Sequence, residues 1–120
     1  MGKIQSFEDL VVWKKSHELV LEIYYLTKDF PGEEKFGLVS QMRRAAVSVP
    51  ANIAEGFKRR GVKDKINFYN ISQGSLSELQ YYLILVKDLG FKVNLGKANS
   101  LISEVGKMLN GLIVTIGSSS

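Results

Sequence analysis

The sequence predicts an all-α chain, an antiparallel up-down-up-down four-helix bundle whose second helix is kinked at Pro50. Three observations lead there. Apolar residues recur at spacings of three and four along most of the chain. Only two prolines interrupt it, at positions 31 and 50, and no run has a convincing period of two. Such a pattern belongs to helices with one buried face. The 120 residues fit one domain, 1–120, and a chain of that size buries roughly two-thirds of its unfolded surface without staples. No cysteine is present to supply any.

Helix 1 is expected over about 9–30. Ser6-Phe7-Glu8-Asp9 offers a capping-box-like start, in which the Ser hydroxyl accepts an early backbone N–H. Val12, Ser16, Leu19, Ile23, Leu26 and Phe30 step by 4, 3, 4, 3, 4, the spacing of a bundle seam. Trp13, Val20 and Tyr24 widen that seam on one side. Pro31-Gly32 should stop the helix, because the residue before a proline resists the α region.

Helix 2 is expected over about 34–57, with Glu33 and Glu34 at the positive end of its dipole. Val39, Met42, Ala46, Val49, Ile53 and Phe57 form its seam. Pro50 interrupts that seam chemically. It removes one backbone bond and crowds the carbonyl of Ala46, at a cost of about 3 kcal/mol in a straight helix. The apolar register continues across it, which favours a kink; the alternative is two short helices.

Helix 3 is expected over about 63–89, after the break at Arg59-Arg60-Gly61. Its seam is Tyr69, Ser72, Leu76, Leu79, Leu83 and Val86. Gly74, in mid-helix, costs up to about 1 kcal/mol relative to Ala, and close approach of a neighbouring helix would explain it. Gly90 reads as the glycine just past the helix end, with Phe91 supplying the accompanying apolar contact. Helix 4 is expected over about 95–116, capped by Asn94. Ala98, Ile102, Val105, Leu109, Leu112 and Ile116 again step by 4, 3, 4, 3, 4. Gly117 to Ser120 are expected to fray. Short connections between helices of similar length favour the up-down-up-down order.

The composition excludes much chemistry. Without cysteine there is no thiolate metal site and no Cys nucleophile. The one histidine, His17, has no Glu or Asp three residues before it, so the Glu-x-x-His pairs of carboxylate-bridged di-iron bundles are missing. It falls between seam positions 16 and 19 and reads as a partly exposed surface residue. There is no Gly-x-Ser-x-Gly, phosphate-binding loop or dinucleotide fingerprint. Acidic pairs such as Glu18 and Glu22 read as solvated helix charge. The expectation is a protein with no catalytic residues, no metal and no cofactor. The opening residues from Met1 carry no apolar core of a signal peptide, and Gly2 fits a myristoylation motif only loosely. The longest apolar run, Tyr81 to Val86, is six residues, against about 20 needed to span a bilayer. A soluble, cytoplasmic protein that does not engage a membrane is expected.

Two basic groups and one apolar run could carry binding. The formal charge is +4. Lys58, Arg59, Arg60, Lys63 and Lys65 put five cations into eight residues, offset by Asp64. They bracket the helix 2–helix 3 turn, where they could meet successive phosphates of RNA or DNA. Phe57, Phe68 and Tyr69 lie close by, and aromatic rings beside a basic groove can stack bases. Equally, cations at a helix C-terminus offset its dipole. Arg43 and Arg44 form the second group, expected to pair with Glu55 or with acids of helix 1. The run Tyr81 to Val86 covers the whole helix circumference. Helix 3 would then be covered on a second side, so Tyr81, Ile84 and Leu85 are expected at an oligomer interface.

Several of these segments resemble one known family. Lys35-Phe36-Gly37-Leu38, followed by Ser40-Gln41-Met42-Arg43-Arg44-Ala45-Ala46 and on to Val49-Pro50-Ala51-Asn52-Ile53-Ala54-Glu55-Gly56, is similar to the signature of four helix bundle proteins related to the 23S rRNA intervening-sequence proteins. Phe7-Glu8-Asp9-Leu10-Val11-Val12-Trp13-Lys14-Lys15 resembles that family's first helix, and Gly74-Ser75-Leu76-Ser77-Glu78-Leu79 its third. The resemblance covers roughly residues 7 to 115. It implies a small bacterial protein, sometimes encoded inside insertions in 23S rRNA genes, that forms a four-helix bundle and assembles as a pentameric, barrel-like ring. A similar accessory protein of diversity-generating retroelements is basic and binds nucleic acid and a reverse transcriptase. The resemblance attaches no catalytic activity, and it gives no roles to Arg43, Arg44, Pro50, Asn52, Glu55 and Gly56. Asn52 and Glu55 lie one turn apart, and Arg43 or Arg44 is expected to meet Glu55 of another copy. A ring of five would raise a charge of +4 to about +20, so weak patches would add up. The expected protein is therefore a non-catalytic homopentamer that binds RNA or another polyanion. The alternative is a scaffold for a protein partner that binds no nucleic acid.

Overall fold

The computed structural model describes residues 3–118. Met1, Gly2, Ser119 and Ser120, on which the myristoylation reading and half of the expected frayed tail fall, lie outside them. Among the described residues there are four α-helices and no strands: α1 (Val11–Thr27), α2 (Ser40–Lys58), α3 (Val62–Asp88) and α4 (Gly96–Ser118). Each helix lies beside two others. α2 packs on α1 and α3, and α4 packs on α1 and α3. The resulting body measures 47 × 28 × 21 Å.

The four seams are the core. Leu19, Ile23, Met42, Ala46, Val49, Ile53, Leu79, Val86, Ala98, Val105 and Leu109 are fully excluded from solvent. Ser16 and Ser72 occupy seam positions as buried hydroxyls. Each is satisfied by a carbonyl, Ser16 by Trp13 at 2.8 Å and Ser72 by Val49 at 2.8 Å, as burial of a polar group demands. One expectation about seam width is corrected: Tyr24 is exposed and does not join the core. Phe30 lies past the end of α1 yet still packs on the core, half-buried and edge-on against Phe91, with ring centroids 4.8 Å apart.

The helix ends show where chain chemistry overrides periodicity. The Ser6–Asp9 capping box is present: Ser6 Oγ accepts from the Glu8 N–H, and Asp9 accepts from the N–H groups of Gln5 and Ser6. These bonds hold the Asp9 carboxyl below its ordinary range. The box caps a 3-10 turn, Phe7–Asp9, and extended Leu10 separates that turn from α1. Helix 1 thus begins two residues later than expected and ends three earlier. The early end follows from Pro31. An α-helix would satisfy the Thr27 carbonyl with the N–H of residue 31, and proline has none. The Phe30 N–H takes that carbonyl instead, at 3.2 Å, closing a tighter turn.

Residues 34 to 39, expected as α-helix, are wound differently. A 3-10 turn (Gly32–Glu34) leads into a π-helical turn (Lys35–Val39), and α2 starts at Ser40. Pro50 lies inside α2, which is one continuous helix; two short helices do not form. At the end of α3, Gly90 adopts φ +84. The Phe91 N–H reaches the Val86 carbonyl at 3.2 Å and the Gly90 N–H reaches Lys87 at 3.0 Å. These are the paired bonds of a Schellman end, and Phe91 packs on the core beside it. Asn94 accepts from the Gly96 N–H at 2.9 Å, so it caps α4. That helix runs on through Gly117 to Ser118, two residues into the segment expected to fray.

Gly74 is also corrected. A Cβ placed there would meet nothing within 4 Å, so no helix approaches it. The close approach is at Gly56, where a Cβ would stand 2.6 Å from the ring of Tyr69.

Candidate functional site

The α2–α3 turn gathers the five predicted cations but divides their work. Lys65, in the second turn of α3, turns back across the gap. Its Nζ donates to the Gly56 and Phe57 carbonyls at 3.2 and 2.9 Å. The Gly56 carbonyl also accepts from the Arg59 N–H at 3.2 Å, and carbonyls at a helix C-terminus lack later helical N–H groups, so Lys65 acts as a C-terminal cap. Arg59 pairs with Glu55 at 3.1 Å, one helical turn away, and lies 4.6 Å over the Phe68 ring. Lys58, Arg60 and Lys63 are exposed and make no ion pair, side-chain hydrogen bond or ring contact among the described residues. Lys58 lies in the last turn of α2, where a cation is expected to offset the dipole. Lys65 adds its ammonium from α3, and Lys58, Arg60 and Lys63 have no side-chain partner among the described residues.

The neighbouring rings are not open stacking platforms. Lys65 Nζ sits 5.6 Å from the Phe57 ring centre, Arg59 covers Phe68, and Tyr69 is only 2% exposed. Burial pushes the Tyr69 phenol upward from its ordinary range. Beyond the turn, exposed Asn67 and Asn70 continue the face of Lys63 and line with it a shallow groove of about 440 Å³ that also includes Asp64 and Ile66.

Arg43 and Arg44 are separated as well. Arg43 Nε donates to Thr27 Oγ1 at 3.0 Å and an Nη reaches the Tyr24 carbonyl at 3.4 Å. Its guanidinium lies 4.4 Å over the Tyr24 ring. It ties α2 to the end of α1 and meets no carboxylate, contrary to expectation. The reason is local: the end of α1 offers a hydroxyl and a carbonyl side by side, and a planar fork reaches both. Glu55, the expected partner, is bound to Arg59. It stands 11 residues along α2 from Arg44, roughly 16 Å at 1.5 Å per residue, so the two cannot meet within one copy. Arg44 is exposed and forms no ion pair among the described residues. Both arginines line a groove of about 590 Å³ with Tyr24, Phe36, Val39 and Val47, and Phe36 is 88% exposed.

Asn52 turns inward along its own helix, donating to the Ser48 carbonyl and hydroxyl at 2.8 and 3.0 Å. Ser75 of α3 donates to the same hydroxyl at 2.7 Å. With Ser72 on Val49, this makes a polar seam between α2 and α3 beside Pro50. Seam periodicity could not reveal it, since each serine reads simply as a small residue.

On the outer face of α3, Tyr81 and Ile84 are 57% and 53% exposed. Leu85 is half-buried and packs against the core, so it is a weaker interface residue than its place in the run suggested. Tyr82 is half-buried and donates to Glu78 at 3.0 Å.

His17 is exposed and stacks on Trp13, ring centres 5.2 Å apart. Among the described residues no group of three or more His, Cys, Asp or Glu side chains converges on a common point. Glu18 is shared by Lys15 and Lys97 at 3.9 and 3.8 Å, an exposed charge network. No helix among the described residues is long and apolar enough to cross a membrane.

The chain is thus an all-α protein of four packed helices, with three exposed, unpaired cations gathered at the α2–α3 turn. It belongs to the family of 23S rRNA-intervening sequence proteins, whose family model matches residues 8–111. It is similar to a solved structure from Bacteroides thetaiotaomicron VPI-5482, a protein with unknown function from the S23 ribosomal protein family. The two are 30% identical with a TM-score of 0.75, over 86% of this chain and 98% of that one. No curated protein matches. Neither the family description nor the solved relative carries an enzymatic activity.

Proposed function

We propose that this protein is a non-catalytic, cytoplasmic, self-associating bundle, a ring of five by family resemblance, that binds RNA or another polyanion at the α2–α3 turn. The observation that carries the reading is the set Lys58, Arg60 and Lys63: three exposed cations at one turn with no internal partner, beside two that have one. Within each copy the helices run up-down-up-down, and α2 bends at Pro50. The cycle of neighbouring helices and the short connections support that order. The N–H that proline withholds from Ala46 supports the bend.

The test is a titration with RNA at two salt concentrations. Replacing Lys58, Arg60 and Lys63 by Glu should abolish salt-sensitive binding, while the parent loses affinity steeply as salt rises. Each phosphate neutralised adds about −0.7 to −0.9 to the log–log slope. No binding at low salt would instead support the scaffold for a protein partner.

Self-association is supported by the exposed Tyr81 and Ile84 on a helix whose opposite face is already in the core. Ile84→Glu should give a folded, smaller species in sedimentation. An unchanged assembly size, with helical content retained, removes this face from the interface. Leu85→Glu is a poorer probe, because it would disturb the core.

A further inference from the structure

We infer that the cationic turn is built for the phosphates of a double helix rather than for the bases of a single strand. The inference rests on the polyanion-binding reading above. Proteins that hold single strands without sequence preference combine cations with aromatic faces on which bases stack. Here no ring at the turn is fully exposed. Lys65 lies over Phe57, Arg59 lies over Phe68, and Tyr69 is buried in the contact with Gly56. The exposed aromatic rings lie elsewhere. Phe36 is 22 residues before Lys58 along continuous helical backbone, roughly 30 Å away, and Tyr81 is 18 residues beyond Lys63, at a comparable distance.

What remains at the turn are donors. Lys58 sits on the last turn of α2, Arg60 in the connection and Lys63 in the first turn of α3. Asn67 and Asn70 follow Lys63 at four and seven residues, on the same face of α3. Neither amide forms a side-chain hydrogen bond among the described residues, and both border the groove that Lys63 opens. Cations and neutral donors of this kind hold phosphate and sugar oxygens and carry no sequence information. A duplex offers them twice the strands and a denser array of phosphates, and it asks for no stacking. Asp64, the one acid in the groove, lies in the first turn of α3, where the dipole favours it.

The experiment is an anisotropy titration of the full chain with three probes of equal length and mixed sequence: single-stranded RNA, duplex RNA and duplex DNA. Both duplexes should bind at least about threefold more tightly per phosphate than the single strand, with a steeper salt slope. Duplexes of unrelated sequence should agree within about twofold, as backbone contacts require. Asn67→Asp with Asn70→Asp should weaken duplex binding several-fold while leaving helical content unchanged. Equal affinity for the two duplexes means that phosphates alone are read. Preference for RNA means that the amides reach the 2′-hydroxyls of the wide minor groove. Tighter binding of the single strand, or strong sequence preference, overturns this inference and leaves the polyanion reading standing. Binding of no probe at low salt overturns both.

Discussion

Replacing Gly56 with alanine is expected to destabilise the protein by about 2 kcal/mol, although alanine is the better helix former. Helix propensity alone would favour the change by about 1 kcal/mol. The added methyl would stand 2.6 Å from Tyr69 Cε1 and 2.9 Å from Cδ1. That ring is buried between helices and cannot swing outward, so α2 and α3 must separate or the ring must leave its rotamer, a strain of typically 1–3 kcal/mol and occasionally more. A thermal melt should show a loss of roughly 8 °C. Gly74→Ala supplies the matched control. Its methyl would meet nothing within 4 Å, so it should raise stability by up to about 1 kcal/mol. Two helical glycines should thus respond with opposite signs. Tyr69→Leu in the Gly56→Ala background should recover part of the loss, whereas simple additivity of the two changes would show that the ring contact is not the cause.

Arg43→Ala is expected to cost about 1–2 kcal/mol, and Arg44→Ala close to nothing. Adjacent in sequence and equal in charge, the two differ in what they hold. Arg43 binds Thr27 and the Tyr24 carbonyl and stacks on the Tyr24 ring, and charge-assisted bonds of this kind contribute about 1.5–3 kcal/mol where sheltered; partial exposure lowers that. Arg43→Lys should recover little, because an ammonium can neither fork to two acceptors nor stack as a plane. Urea unfolding should show a lower midpoint with an unchanged slope for Arg43→Ala. A cycle with Thr27→Val should show coupling between the two positions. Equal midpoints for the Arg43 and Arg44 variants would remove the clamp between α1 and α2.

Much of the site was legible as composition and little of it as geometry. The charge density between Lys58 and Lys65 marks the turn. It does not say that Lys65 folds back onto carbonyls or that Arg59 is spent on Glu55 and Phe68. The Arg59–Glu55 pair is a spacing of four along α2, but the Lys65 and Phe68 contacts depend on where α3 sets off relative to the end of α2, which no local pattern encodes. The same holds for Arg43 and Glu55. Both read as interface charges, and each finds a neighbour inside its own copy. Leu85 belongs to an unbroken apolar run in sequence, yet only its rotation about the α3 axis separates it from exposed Ile84.

The sequence by itself determined the four helices, nearly all of their buried faces, and the ends set by Asn94 and Gly90. Each depends on backbone chemistry or on a repeat that matches 3.6 residues per turn, and such features act within a few residues of the chain. Only the tertiary structure decided which glycine is indispensable, which arginine is a clamp, and which cations stay free for a partner. These are properties of pairs of helices. Their physical basis is exclusion and proximity: a ring fills the space above Gly56, carbonyls at one helix end draw in the nearest cation, and whatever is left unpaired defines the surface that can bind.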